Sequence, residues 1–186
     1  MEELRSGIER RIPGLRKMEK KRWARCQVAV VGGNTCSEEV FQVAYAVGAE
    51  LAARGAWLIC GGLGGVMEAV SRGASENGGH AIGILPGYDH DSANCWLSAA
   101  IATGLGHARN VVVVAAGHVV IALPGGHGTA AEVHLARVLG RPVVALSAWG
   151  EIPGVQEVSD PRLAVELALK LCRRCHPSDH EERGND

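Results

Sequence analysis

The apolar positions alternate between short continuous runs and helical stripes. From Gln27 the chain is apolar up to Gly32-Gly33, the pattern of a central parallel strand buried on both faces. A helix is expected next. Ser37 can cap it, Glu38 and Glu39 suit its positive end, and Val40, Val43, Ala44, Val47 and Leu51 form one stripe that stops at Gly55. The alternation repeats as strand 56–60, helix 65–77 closed by Gly78-Gly79, and strand 80–85. It breaks over residues 86–105, a long connection with at most one short strand near 97–101, and connections of that length are usually functional. Helix 106–116, strand 118–123, helix 129–139 ended by Gly140 and Pro142, strand 142–146 and a last helix 160–175 complete the pattern.

Strands alternating with helices predict an α/β fold, a Rossmann-like doubly wound parallel sheet in a single domain. Right-handed crossovers place every glycine-rich loop at the carboxyl edge of that sheet. If the long connection crosses to the other side of the first strand, the topological switch point falls between the loops 33–37 and 124–129.

Composition narrows the class. At 186 residues and 47% hydrophobic the chain suits one self-sufficient core, and no apolar stretch is long and clean enough to span a bilayer. Residues 1–25 hold nine Lys/Arg against four Glu, whereas the remainder holds ten against sixteen acidic residues. The expected organisation is therefore a basic extension 1–25, a Rossmann-like domain 26–176 and a polar tail 177–186. The extension has no apolar h-region, so it is not a secretory signal and a cytoplasmic protein is expected. It is read as a solvated, partly helical arm rather than one that binds RNA or a membrane. With no export signal, no disulfide is expected among cysteines 26, 36, 60, 95, 172 and 175, and Cys26 and Cys60 suit packed free thiols. The run Cys172-Arg173-Arg174-Cys175-His176, with His180 nearby, formally matches a haem-attachment motif, but that needs export and zinc pairs need wider spacing; no metal site is expected.

The most informative segment is Leu123-Pro124-Gly125-Gly126-His127-Gly128-Thr129-Ala130-Ala131-Glu132. It follows a strand and opens a helix, so bare amides and a helix N-terminus converge as in an anion site. Gly125, Gly126 and Gly128 are expected to take positive φ and to let a phosphate approach closely; Gly126→Val should then abolish binding through clash and disallowed φ while leaving much of the sheet intact. Thr129 and Glu132 fit either a capping box or a catalytic role. His127 at the loop tip suits an anion donor and a solvated side chain equally well.

The pattern PGGxGTxxE, with Arg109 upstream, resembles the superfamily of lonely-guy phosphoribohydrolases, often labelled lysine decarboxylases, and molybdenum-cofactor carrier proteins. The segments Gly61-Gly62-Leu63-Gly64-Gly65-Val66-Met67-Glu68-Ala69, Ile84-Leu85-Pro86-Gly87 and Thr103-Gly104-Leu105-Gly106-His107-Ala108-Arg109-Asn110 are closer to the carrier branch. The resemblance spans about residues 26–148. It implies a ligand lined by Gly32, Gly33, Gly62, Gly64, Gly65, Met67, Thr103, Gly104, Arg109, Asn110, Pro124, Gly125, Gly126, His127, Gly128 and Thr129. It also implies catalytic roles for Arg109 and Glu132 if the chain is a hydrolase, the molybdenum cofactor as cargo if it is a carrier, and a homodimer or tetramer. The hydrolase branch surrounds its Arg with Met-His-x-Arg-Lys; here Gly106-His107-Ala108-Arg109-Asn110 departs from it.

Other chemistries fail on specific residues. The position after strand one reads Gly32-Gly33-Asn34-Thr35-Cys36-Ser37, not GxGxxG, which disfavours NAD. The lysines stand at 17, 20, 21 and 170, in the arm and the last helix, so neither a Walker loop nor a PLP Schiff base is served and lysine decarboxylation is not expected. Asp89, His90, Asp91 and Asn94 read as turn formers rather than metal ligands, and His118 as a strand-boundary residue with no role. Nothing in the residues calls for a nucleic-acid partner. Three readings remain: a carrier of a phosphate-bearing pterin, a hydrolase releasing base and ribose 5-phosphate from nucleoside 5′-monophosphates, and a nucleotide sensor without turnover.

Overall fold

The computed structural model describes residues 26–146, 149 and 152–174. The basic arm, the polar tail, Cys175, His176 and His180 lie outside the described residues. Seven strands form one parallel sheet: β1 (Gln27–Val31), β2 (Trp57–Cys60), β3 (His80–Leu85), β4 (Ala99–Ala102), β5 (Val119–Ala122), β6 (Val143–Leu146) and β7 (Val155–Val158). Their spatial order is β4-β3-β2-β1-β5-β6-β7. The direction of winding reverses between β1 and β5, so the switch point lies where the loop pattern puts it, but the long connection 86–105 is not itself the crossover: it carries β4 alongside β3, and the chain crosses only afterwards, over residues 103–118. Among the described residues five α-helices cover the sheet: α1 (Glu38–Ala53), α2 (Val66–Glu76), α3 (Asn110–Ala116), preceded by a 3-10 turn Gly106–Arg109, α4 (His127–Val138) and α5 (Pro161–Arg174).

The continuous apolar runs are explained by burial on both faces. Val28 and Val30 of β1 join Val47 and Leu51 of α1, Val70 of α2 and Val165 of α5 in one core. Ala29 and Val31, one position out of phase, join Val113 of α3 and Val133 of α4 in a second core on the opposite face. Each strand residue therefore serves one core in turn, as the two-residue period of a strand requires.

The edges are less regular. β4 is the short strand expected near 97–101, shifted slightly and exposed at Ala99 and Ile101. β7 is a strand that the sequence pattern does not predict. Its core is Gln156-Glu157, and only Val155 and Val158 are half-buried, because an edge strand has one neighbour and one open side.

Helices α1 and α2 pack with almost no gap. A Cβ on Gly48 would run into the Val70 carbonyl, and one on Gly73 into the Tyr45 carbonyl, so each glycine admits the other helix's backbone. Gly73→Val is therefore expected to lower stability by about 2–3 kcal/mol or more, read as a lower urea midpoint, since backbone must move to accept the side chain.

Among the described residues no helix is long and apolar enough to cross a membrane. One expectation is overturned here. Cys26 and Cys172 form a disulfide, with Cα atoms 6.3 Å apart across 146 residues of sequence. Cys26 precedes β1 at the amino edge of the sheet, and α5 brings Cys172 to the same edge in its last turn. Topology, not local pattern, makes the pair. Cys36, Cys60 and Cys95 are free, and Cys60 is fully buried as expected of a packed thiol.

Candidate functional site at the switch point

Three loops are stitched together at the carboxyl edge. Gly33 N–H donates to the Pro124 carbonyl (3.0 Å), and Val66 N–H donates to the Gly33 carbonyl (3.0 Å), joining the ends of β1 and β5 to the start of α2. Gly65 makes this possible. Its φ is +60°, and a Cβ there would lie 2.5–2.6 Å from the Asn34 carbonyl group. Ser37 caps α1 by accepting from the Val40 amide (3.3 Å), as expected.

Gly33, Asn34, Thr35, Cys36, Ser37, Val40, Pro124, Gly125 and Gly126 line a cleft of about 300 Å³. It lies between the first turns of α1 and α4, whose leading amides have no intrahelical acceptors. Val40 and Pro124 are shared with a larger cleft of about 750 Å³, walled by Val43, Leu146, Val158 and Leu163 and rimmed by Glu39, Glu157 and Ser159. The large cleft is thus mainly apolar, whereas the small one is mainly backbone. Burial and the nearby Glu38 and Glu68 carboxylates push the Cys36 thiol up from its ordinary value, so this cysteine is not poised as a thiolate.

The glycines of the β5 loop act differently from expectation. None of Gly125, Gly126 and Gly128 has positive φ. Gly125 is required because a Cβ would run into Thr129 Oγ1 and approach Gly33 N at 2.9 Å. Gly126 has φ −93° and ψ −156°, and a Cβ there would meet nothing within 4 Å. The clash and disallowed φ expected for Gly126→Val are therefore absent from the protein itself.

Helix α4 begins at His127, two residues earlier than expected, with Gly126 as its N-cap. Thr129 consequently lies inside the first turn, and the capping box is not formed. Glu132 sits one further turn along, 7% exposed, beside the equally buried Arg109. Among the described residues the two do not close into an ion pair, and Arg109 Nε is buried without an acceptor. Gly61, absent from the expected lining, makes room for this guanidinium: a Cβ there would strike Arg109 Nη1 and lie 2.5 Å from Met67 Sδ. The signal was present in the Gly61-Gly62 pair, but its partner is 48 positions away.

Burial raises the Glu132 carboxyl to about 7, against the opposing pull of Arg109. Burial also lowers the Arg109 guanidinium from its ordinary value, with Glu132 and then Cys60 pulling it back. A carboxyl with a raised folded-state pKa binds protons more tightly when folded, so its contribution to stability falls as pH rises from about 4.5 to about 7. Glu132→Gln is thus expected to gain stability over the parent by on the order of 3 kcal/mol at pH 8, and little at pH 4.5, in urea titrations.

The remaining expected residues divide. Asn110 reaches the first turn of α4, its Nδ2 lying 4.0 Å from where a Gly128 Cβ would be. His127 and Gly128 are exposed in that turn. Thr103 Oγ1 donates to the Leu85 carbonyl (2.7 Å) and accepts from the Leu105 amide (3.3 Å), shaping the turn that leads to Arg109. Gly104 has φ +65° beneath the Tyr88 ring. Gly62, Gly64 and Gly65 form the β2–α2 loop, whereas the bare α-carbon of Gly32 admits Val66 and serves packing. The polar cluster of the long connection forms turns: Asp89 Oδ1 accepts from the Asp91 amide, and Asn94 Nδ2 donates to the Leu63 carbonyl.

Comparison with known proteins gives the fold's relatives. The molybdenum cofactor binding protein of the phototrophic bacterium Rippkaea orientalis superposes with a TM-score of 0.75 at 34% identity, over 81% of this chain and 99% of that one. The molybdenum cofactor carrier protein of Chlamydomonas reinhardtii gives 0.73 at 31% identity, over 80% and 99%. A cytokinin riboside 5′-monophosphate phosphoribohydrolase of Mycobacterium marinum is 35% identical over 151 residues, 71% of this chain and 78% of that protein. The SLOG cluster4 family model matches residues 25–170, nearly all of the described fold, and the chain belongs to that family.

Proposed function

We propose that this chain holds a phosphate-bearing small molecule at the switch point, and that it does so as a carrier of the molybdenum cofactor, a phosphate-bearing pterin. The observation that carries the reading is the small cleft, where Gly33, Gly125 and Gly126 present backbone with no side chain in the way, at the N-terminus of α4. The phosphate would take the amides of residues 126–129, with His127 and Asn110 at the margin. The ring system would extend past Val40 and Pro124 into the larger apolar cleft. The likeness to two molybdenum cofactor proteins at 31–34% identity supports this choice of cargo. Val138 and Leu139, exposed at the end of α4, suit a contact between copies in a homodimer or tetramer.

A second reading is favoured by one specific observation. Glu132 is buried beside Arg109, forms no cap, and titrates near neutrality, as a general base should. In hydrolysis of a nucleoside 5′-monophosphate, Glu132 would take a proton from water as the water oxygen bonds to the sugar C1′. The N-glycosidic bond would break, the base would leave with the proton that Glu132 took from the water, and ribose 5-phosphate would remain. Arg109 would brace the phosphate or the leaving group.

The two readings separate in one assay. The protein, purified without added ligand, is examined for a bound fluorescent pterin and incubated with AMP and other 5′-monophosphates. Retained pterin without released base supports the carrier; released base at catalytic turnover replaces it with the hydrolase.

A further inference from the structure

The amino edge of the sheet, opposite the clefts, carries a second cluster of reactive side chains. Cys26, His118 and Cys172 come from the start of β1, the start of β5 and the end of α5. Their ligand atoms all lie within 4.8 Å of one another. His118 is fixed twice on Gln27: its amide donates to the Gln27 carbonyl (2.8 Å), and its Nδ1 accepts from the Gln27 amide (3.0 Å). A neutral ring whose Nδ1 accepts a hydrogen bond carries its proton on Nε2, so metal ligation would cost the ring either that bond or that proton. The same N–H is well suited to the neighbourhood of a thiolate.

We propose that Cys26 and Cys172 form a redox-exchangeable pair whose reactants are small-molecule disulfides and dithiols, and that its state sets how firmly α5 is held against the sheet. Cys26 is half-buried and Cys172 is 5% exposed, so an incoming thiolate meets the Cys26 sulfur and expels Cys172 as the leaving thiolate. A second thiolate of the dithiol then displaces Cys26 and closes the reagent into its own disulfide. In the reverse direction one protein thiolate attacks the small disulfide, releasing one thiolate, and the second protein thiolate resolves the mixed disulfide and releases the other. Two electrons and two protons pass from the protein to the reagent.

The consequence runs along α5. At the usual rise per residue the helix carries the chain about 14 Å from the cleft-lining Leu163 near its start to Cys172 near its end. Its fully buried side chains are Ala164, Val165 and Ala168, and the partly buried Leu167, Leu169 and Leu171 pack against the same core. The covalent tie to Cys26 adds to this apolar contact at the last turns, and Val158, Ser159 and Leu163 at the other end line the larger cleft. This coupling holds whichever ligand the cleft takes.

The test compares oxidised and dithiothreitol-reduced protein, with redox state read by alkylation and peptide mass, and helix docking read by amide hydrogen exchange. Reduction is expected to expose Cys26 and Cys172 to alkylation, to be reversed by oxidised glutathione, and to speed exchange over 164–172 at least ten-fold, with a smaller rise over 157–163. Cys26→Ser should exchange like reduced protein in both conditions; if it does not fold, the two states of the parent chain carry the comparison. Exchange unchanged between the two states overturns the proposal, as does a pair that resists interconversion in the folded protein. One zinc bound per reduced chain, with both thiols protected from alkylation, overturns it in favour of a metal centre.

Discussion

Gly126→Val should reduce phosphate affinity by roughly 100-fold or more while leaving the urea midpoint within about 0.5 kcal/mol of the parent. The residue has an extended conformation that valine accepts, and its Cβ position is empty to 4 Å, so the fold loses nothing. Yet Gly126 lines the small cleft at the head of α4. Valine methyls there would occupy the space through which an anion reaches the first-turn amides. Losing two charge-assisted hydrogen bonds, each worth about 1.5–3 kcal/mol, corresponds to that affinity change. Titration calorimetry with inorganic phosphate and denaturation of the same samples separate the two effects. Gly125→Val makes the opposite control: it collides with Thr129 and should lose stability and binding together.

Glu132→Gln should leave binding of a phosphate-bearing ligand within a few-fold of the parent, because Glu132 does not line the small cleft. Any turnover of a 5′-monophosphate by the parent should fall by roughly 10²-fold or more in the variant, the usual loss when a general base or charge stabiliser is removed. Glutamine preserves shape and removes both charge and basicity. The turnover ratio therefore reports chemistry, while the affinity reports the cradle. Residual hydrolysis at the parent rate would remove Glu132 from the reaction.

What the chain discloses depends on how local the cause is. The central strands announce themselves because β1, β5 and β6 are buried on both faces, which forces uninterrupted apolar runs. β7 stays hidden because Gln156 and Glu157, on opposite faces of an edge strand, are both exposed and leave no alternation to read. The switch point is legible from topology alone, since parallel crossovers have one hand. The start of α4 is not, because Gly126 caps with backbone only and the polar Thr129 mimics a cap from within the first turn. Likewise, the glycines of PGGHG look like positive-φ residues, but Gly125 is set by its contact with Thr129, which requires the folded loop. The pairing of Cys26 with Cys172 and the fit of Arg109 over Gly61 are both non-local, and neither leaves a periodic trace.

The central claim is that the switch-point cleft takes a phosphate through the amides of residues 126–129. A crystal structure of the chain grown with a nucleoside 5′-monophosphate tests it most directly. The expected result is the phosphate within hydrogen-bond distance of those amides, between the Gly33 and Gly125 backbones, with the rest of the ligand toward Val40 and Pro124. A cleft closed by the β5 loop, with the phosphate bound elsewhere on the chain, would contradict it.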